Sequence, residues 1–267
     1  MISKHLTISL SILIVTVIVE GLNNNQTFYG TCNRSFSCGD ISGFGYPFRR
    51  GQDPVYCGYP GFELNCEEQS PPTINIMNLT YHVLEIDPAG QILKIVREDM
   101  TDLACSQNPV NTTVDYNLFS YTSNYKNISL LYGCSSSYKM PIIGIISCVN
   151  NGGSPVVLVP GVQSPESCKS SIVVPFPVEF AEFMEPTELG LVLQKGFEVK
   201  WKVGSGPCNA CTQSGGDCLY NNDTLLTTCA CRESPLLADS CSTTRVSSPS
   251  GMQLLKCVSS WYFPVAI

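Results

Sequence analysis

The chain is 267 residues long and only 14% of it is charged; 22 Asp and Glu against 15 Lys and Arg give a formal net charge of −7. With no basic run longer than Arg49-Arg50, this balance excludes the usual nucleic-acid binder, whose affinity comes from Lys and Arg clustered on phosphates. Fifteen cysteines argue against a reducing compartment, where dense cysteine usage is rare outside metal and redox sites.

Lys4 precedes an apolar run from Leu6 to Val19. The run is shorter than the ~20 apolar residues that a spanning helix needs. It reads as a secretory signal peptide over residues 1–21, cut near Gly21; if retained, it would hold the protein at a membrane. No later apolar run is long enough to span, so the mature chain is expected to be secreted without a membrane span.

Next come the turn-rich stretches Gly43-Phe44-Gly45-Tyr46-Pro47-Phe48 and Cys57-Gly58-Tyr59-Pro60-Gly61-Phe62, where Gly and Pro force turns and short strands. Strand-like runs follow at 73–77, 81–87 and 91–97, the last two joined by the turn chemistry of Asp87-Pro88-Ala89-Gly90. Residues 106–133 are polar and read as a linker of surface loops and edge strands. Short strands are expected at 140–149, 155–159 and 171–178. Pro186 to Lys195, closed by Gly196, has the marks of a helix, weakened by Gly190 inside it. From 197 to 203, Phe197, Val199, Trp201 and Val203 alternate with Glu198, Lys200 and Lys202, the pattern of a half-buried strand. The expected fold is mainly β and disulfide-rich: two small Cys-rich β domains with short strands, many turns and at most one or two short helices. They occupy residues 22–105 and 134–241, with a divergent tail at 242–267.

Fourteen cysteines lie between Cys32 and Cys241: Cys32, Cys38, Cys57, Cys66, Cys105, Cys134, Cys148, Cys168, Cys208, Cys211, Cys218, Cys229, Cys231 and Cys241. They are expected to pair, leaving Cys257 as the odd thiol, free or joined to another chain. Cys208-x-x-Cys211 with Cys229-x-Cys231 can also be drawn as a four-thiolate zinc site or, in part, as a redox pair. Export makes disulfides the reading, with no metal and no cofactor. N-glycosylation sequons at Asn25, Asn33, Asn78, Asn111, Asn127 and Asn222 fit the same compartment.

Cys38-Gly39, Gly45-Tyr46-Pro47-Phe48, the run from Cys57 to Cys66 and the later Cys105 resemble the galacturonan-binding domain of plant wall-associated receptor kinases. Gly196-Phe197-Glu198-Val199-Lys200-Trp201, Cys208-x-x-Cys211, Ser214-Gly215-Gly216-Asp217-Cys218 and Cys229-x-Cys231 resemble their C-terminal domain. The pair is typical of leaf-rust-resistance-type receptor-like kinase ectodomains. Two positions depart from the pattern, Leu219-Tyr220 after Cys218 and Arg232-Glu233 after Cys231. No Gly-rich ATP loop, catalytic Asp motif or Asp-Phe-Gly is present, so the chain is expected to be a truncated form without kinase.

The resemblance implies binding of cell-wall pectin, an anionic galacturonate polymer. Its recognition needs cations for carboxylates and aromatic faces for sugars. Tyr46 and Phe48 beside Arg49 and Arg50 supply both, and Lys94 and Arg97 extend the patch. The opposing reading makes the rings core packing and the double Arg solvated surface. Calcium bridging has no Asp-x-Asp-x-Asp-Gly loop behind it. A soluble decoy or co-receptor binding a peptide or another receptor ectodomain in defence signalling is the alternative function. Catalysis is not expected. His82, the single His after the leader, reads as a polar residue of a strand. Glu67-Glu68 and the Glu179, Glu182, Glu185, Glu188 series are paired carboxylates by residue type only.

Overall fold

The structure is a computed structural model that describes residues 28–67, 70–100, 105, 109–135, 141–148, 154–178 and 188–241. The expected leader 1–21, Asn25, Glu68, Glu179, Glu182, Glu185, the start of the expected helix, Cys257 and the tail 242–267 lie outside them. Among the described residues the fold is mainly β. In chain order the strands are β1 (Phe36–Cys38), β2 (Ile41–Phe44), β3 (Arg49–Arg50), β4 (Glu63–Asn65), β5 (Thr73–Ile76), β6 (Leu79–Asp87), β7 (Ile92–Arg97), β8 (Phe119–Tyr121), β9 (Tyr125–Tyr132) and β10 (Gly144–Ile146). Then come β11 (Val156–Pro160), β12 (Ser170–Pro177), helix α1 (Leu189–Gln194), β13 (Phe197–Trp201), helix α2 (Ser205–Gln213), β14 (Asp217–Asn221), β15 (Leu226–Cys231) and β16 (Ser234–Ala238).

These strands form a β1-β2 hairpin and three larger sheets: β3-β4-β5-β6-β7-β13-β8, β10-β11-β9-β12 and β14-β15-β16. The alternation in β13 decides the first of these. Phe197, Val199 and Trp201 are buried while Lys200 is exposed, so one face joins the core and the other meets water. β13 pairs antiparallel with β7 on one side, Phe197 opposite Ile95, and with β8 on the other, Trp201 opposite Phe119. A strand expected in the second block thus sits inside the sheet that the first block begins. Its apolar face finds its partners in Phe48, Phe62, Leu93 and Ile95 of the same core.

Residues 106–133 are more than the expected linker of loops and edge strands. β8 does lie at a sheet edge, but β9 is an inner strand of the four-stranded sheet, flanked by β11 and β12. Its run Ile128 to Leu131 is wholly buried. The polar Asn and Ser around that short apolar run mask it in the sequence. The second core fills the space between this sheet and α1, with Leu130, Leu158, Ile172 and Phe176 against Leu189 and Val192.

The three-stranded sheet packs largely on sulfur. Its buried cluster consists of Cys211, Cys218, Cys229 and Cys231, with Tyr46 packed against them. α2 has little amphipathic pattern and was not anticipated; disulfides fix it to this sheet. Seven disulfides join the fourteen cysteines: Cys32–Cys57, Cys38–Cys66, Cys105–Cys148, Cys134–Cys168, Cys208–Cys218, Cys211–Cys229 and Cys231–Cys241. Cys208, Cys211, Cys229 and Cys231 are therefore all spent in bridges rather than in a four-thiolate site.

Two stability predictions follow from this packing. Trp201→Ala removes the ring that meets Phe48 edge-on at 5.1 Å between centroids; denaturant unfolding should show a loss of about 3–5 kcal/mol. Replacing Cys105 and Cys148 by Ala opens a loop of 43 residues, whereas replacing Cys208 and Cys218 opens one of 10. On chain entropy alone the first pair should cost about 4 kcal/mol and the second about 3, a ranking that paired melts will check.

Candidate binding site

The residues singled out around Tyr46 are drawn into the framework. The Tyr46 hydroxyl lies 2.7 Å from Thr227 Oγ1 on β15, and burial pushes its pKa up to about 12. Its ring links the first sheet to the cysteine-rich module. Phe48 is 1% exposed, with Phe44, Phe62 and Trp201 edge-on to it. It offers no face to a sugar and is a core residue, held in a turn in which its N–H donates to the Gly45 carbonyl.

The cations are matched one by one. Arg49 donates through Nη2 to Glu63 Oε2 at 2.7 Å and through Nη1 to the carbonyls of Arg50, Gly51 and Asp53. Arg50 forks onto both oxygens of Asp53 at 3.1 and 2.9 Å, and its guanidinium lies 5.6 Å from the Phe36 ring centre. Arg97 is 2% exposed; it pairs with Asp99 and donates to Val110 O and Thr112 Oγ1. It pins the chain that leads into β8 and cannot reach a ligand, a correction to its expected place in the patch.

Lys94 is placed differently. It lines a cleft of about 540 Å³ between the end of β12, the β8–β9 turn and β13. Asn124, Tyr125, Pro177, Lys195 and Glu198 share this cleft with it. The cleft brings two ammonium groups, an amide and a phenol ring together, drawn from both larger sheets. The charge is balanced by carboxylates: Lys94 stands opposite Glu85 on one neighbouring strand and Glu198 on the other. The sequence did not reveal Tyr125 or Lys195 as neighbours of Lys94, because only the pairing of β13 with β7 on one side and β8 on the other brings them to one place. A second hollow of about 470 Å³, mainly apolar, lies beside α2 between Tyr59, Pro207, Leu225 and Leu226.

His82 sits on β6 with its Nδ1 buried and lacking a hydrogen-bond partner among the described residues. Glu67 accepts from Asn65 Nδ2, and Glu188 is exposed just before α1. Asn33, Asn78, Asn111, Asn127 and Asn222 are all exposed; Asn111 Oδ1 accepts the Val173 N–H.

Two families match the chain in succession. Wall-associated receptor kinase galacturonan-binding covers residues 32–97, and wall-associated receptor kinase C-terminal covers residues 147–234. The chain carries both wall-associated receptor kinase domains. The second match contains β13, so these two domains share one sheet. Among curated proteins of Arabidopsis thaliana, the chain is 32% identical to leaf rust 10 disease-resistance locus receptor-like protein kinase-like 1.3 over 71% of its own length. It is 31% identical to the 2.8 protein of that series over 73%, and 29% identical to the 2.4 protein over 87%. It spans only 28%, 22% and 37% of those relatives. No solved structure matches. Among the described residues no helix is long and apolar enough to cross a membrane.

The Arg50–Asp53 fork yields a pH prediction. Burial raises the Asp53 pKa, but the hydrogen bonds and charge of Arg50 outweigh it and hold the carboxyl below its ordinary value. A carboxylate depressed in the folded state adds stability that is present above its unfolded pKa and lost as pH falls through the folded one. Asp53→Asn should therefore cost about 1 kcal/mol at pH 7. Urea melts should show that deficit shrinking as the solution is acidified below the ordinary Asp range.

Proposed function

We propose that this chain is a non-catalytic, secreted module of the receptor-like kinase ectodomain type that binds de-esterified pectin in the plant cell wall. The observation that carries this reading is the galacturonan-binding match over residues 32–97. The cleft around Lys94 supports it as the place of contact. Galacturonate carboxylates would meet the Lys94 and Lys195 ammonium groups, the amide of Asn124 would take hydroxyls, and the Tyr125 ring with Pro177 would lie against a sugar face. Arg49 and Arg50 form a second contact, in which a ligand carboxylate replaces Glu63 or Asp53. Arg49 is also held by three backbone carbonyls and Arg50 by a two-pronged fork, which makes them the weaker anchor. The apolar hollow with its exposed Leu225 and Leu226 favours the second reading, a decoy or co-receptor for a peptide or another ectodomain.

Calorimetric titration with oligogalacturonate tests the proposal. Lys94→Ala with Lys195→Ala should weaken binding by about 1.5–3 kcal/mol per lost charged contact. Arg49→Ala with Arg50→Ala should weaken it less. Affinity should fall as salt rises and the Debye length drops to about 8 Å and below, and methyl-esterified pectin should bind far less. Unchanged affinity in both folded double variants would show the site to be wrong. No binding by the parent at low salt, with or without calcium, would transfer the function to the protein-partner reading.

A further inference from the structure

The cysteine-rich module holds two disulfides in contact with each other. Cys211 of α2 is bonded to Cys229 of β15, and Cys231, two residues along β15, is bonded to Cys241. The Cys229 and Cys241 sulfurs, which are not bonded to one another, lie only 3.5 Å apart. The sulfurs of Cys229, Cys231 and Cys241 all fall within 4.8 Å of one another. Buried Gly216 closes the group from below: a Cβ there would overlap the sulfurs of Cys211, Cys229 and Cys241. The space over Gly216 therefore holds the sulfurs of two bridges at once. A disulfide bond is about 2.05 Å long, so Cys241 would need to move by only about 1.5 Å to bond to Cys229. The bridges also differ in access. Cys211 is 1% and Cys229 0% exposed, whereas Cys241 is half-buried. A thiol in solution therefore meets the Cys231–Cys241 bridge first.

We propose that these two bridges form an exchangeable pair, a thiol-operated switch in the module that carries α2. Two molecules of a low-molecular-weight thiol, such as glutathione, reduce the Cys231–Cys241 bridge and leave as one oxidised disulfide. The Cys241 thiol gives up its proton, and its thiolate attacks the Cys229 sulfur. A Cys229–Cys241 bond forms, the Cys211–Cys229 bond breaks, and the Cys211 thiolate takes a proton. The product has one bridge fewer and two free thiols, at Cys211 and Cys231. Its consequence is local: the second turn of α2 loses its tie to β15, while Cys208–Cys218 still holds the first. α2 supplies Pro207 and Ala210 to the apolar hollow, whose other side is built by Leu225 and Leu226. The exchange therefore loosens the Ala210 end of that wall, while Pro207 stays with the turn that Cys208–Cys218 holds.

The test uses the full chain with Cys257→Ser, so that the tail cysteine cannot be the attacking group. The folded protein is treated with graded glutathione, quenched in acid and alkylated, and its peptides are mapped without reduction. Among molecules with both Cys231 and one further module cysteine accounted for, the expected product links Cys229 to Cys241 and carries the alkyl label on Cys211 and Cys231. Molecules labelled on Cys231 and Cys241 with Cys211–Cys229 intact, and no Cys229–Cys241 peptide at any glutathione level, would overturn the proposal. Cys231→Ser in the same background leaves Cys241 without its partner and needs no reductant. At least half of that variant should carry the Cys229–Cys241 link with Cys211 labelled. Label on Cys241 alone would count against the exchange, and if this variant does not fold, the glutathione series decides. Amide hydrogen exchange over Ala210 to Gln213 should be at least tenfold faster in the rearranged product; unchanged rates would show that α2 is not released.

Discussion

Everything in the larger sheet depends on where β13 goes. Alone, Phe197, Val199 and Trp201 would be an apolar stripe on a five-residue strand, too short to stand in water. Placed between β7 and β8, the strand satisfies its backbone on both sides and buries that stripe against rings from a segment some 150 positions earlier in the chain. The approach is close: Gly196, at φ 69, sits where a Cβ would overlap the Ile95 carbonyl. Glycine is required there for both the left-handed turn and the contact. The helix before it can then end and β13 can begin directly against β7.

That placement sets the character of the rest. Trp201 meeting Phe48 turns the Gly45-Tyr46-Pro47-Phe48 motif into core structure rather than an exposed aromatic patch. β13 also carries Glu198 into register with Lys94 and forms one wall of the cleft. Lys94 comes from the first family-matched region and Lys195 from the second, whereas Asn124 and Tyr125 come from the segment between them.

The charges obey a related rule. Four arginines each lie against a carboxylate: Arg49 against Glu63, Arg50 against Asp53, Arg97 against Asp99, and Arg34 against Asp217. Of these, Arg97 and Asp217 are almost fully buried, where an unpaired charge would be costly, so their partners are structural. An anionic ligand at Arg49 or Arg50 must displace such a carboxylate. The cysteine-rich module packs largely on sulfur, and the packing of several bridges over Gly216 brings them within reach of one another.

Much of this was legible in the sequence because it is local or compositional. The alternation of 197–203 announced a half-buried strand, Asp87-Pro88-Ala89-Gly90 announced the β6–β7 turn, and the spacing of Cys and Gly carried the family. What the sequence could not state was which distant segments meet. Alternation says that one face of β13 is buried but not against what. The polar flanks of β9 hide a strand that is buried on both faces. A double Arg reads the same whether it faces solvent or a nearby acid, and Arg97 reads as a surface cation until the 110–112 segment folds over it. Disulfide partners, the helix that two of them hold and the adjacency of their sulfurs are likewise products of tertiary packing. Local periodicity is fixed by backbone geometry within a few residues, whereas burial, charge pairing and bridge formation are fixed by contacts across the whole chain, and only the folded structure decides those.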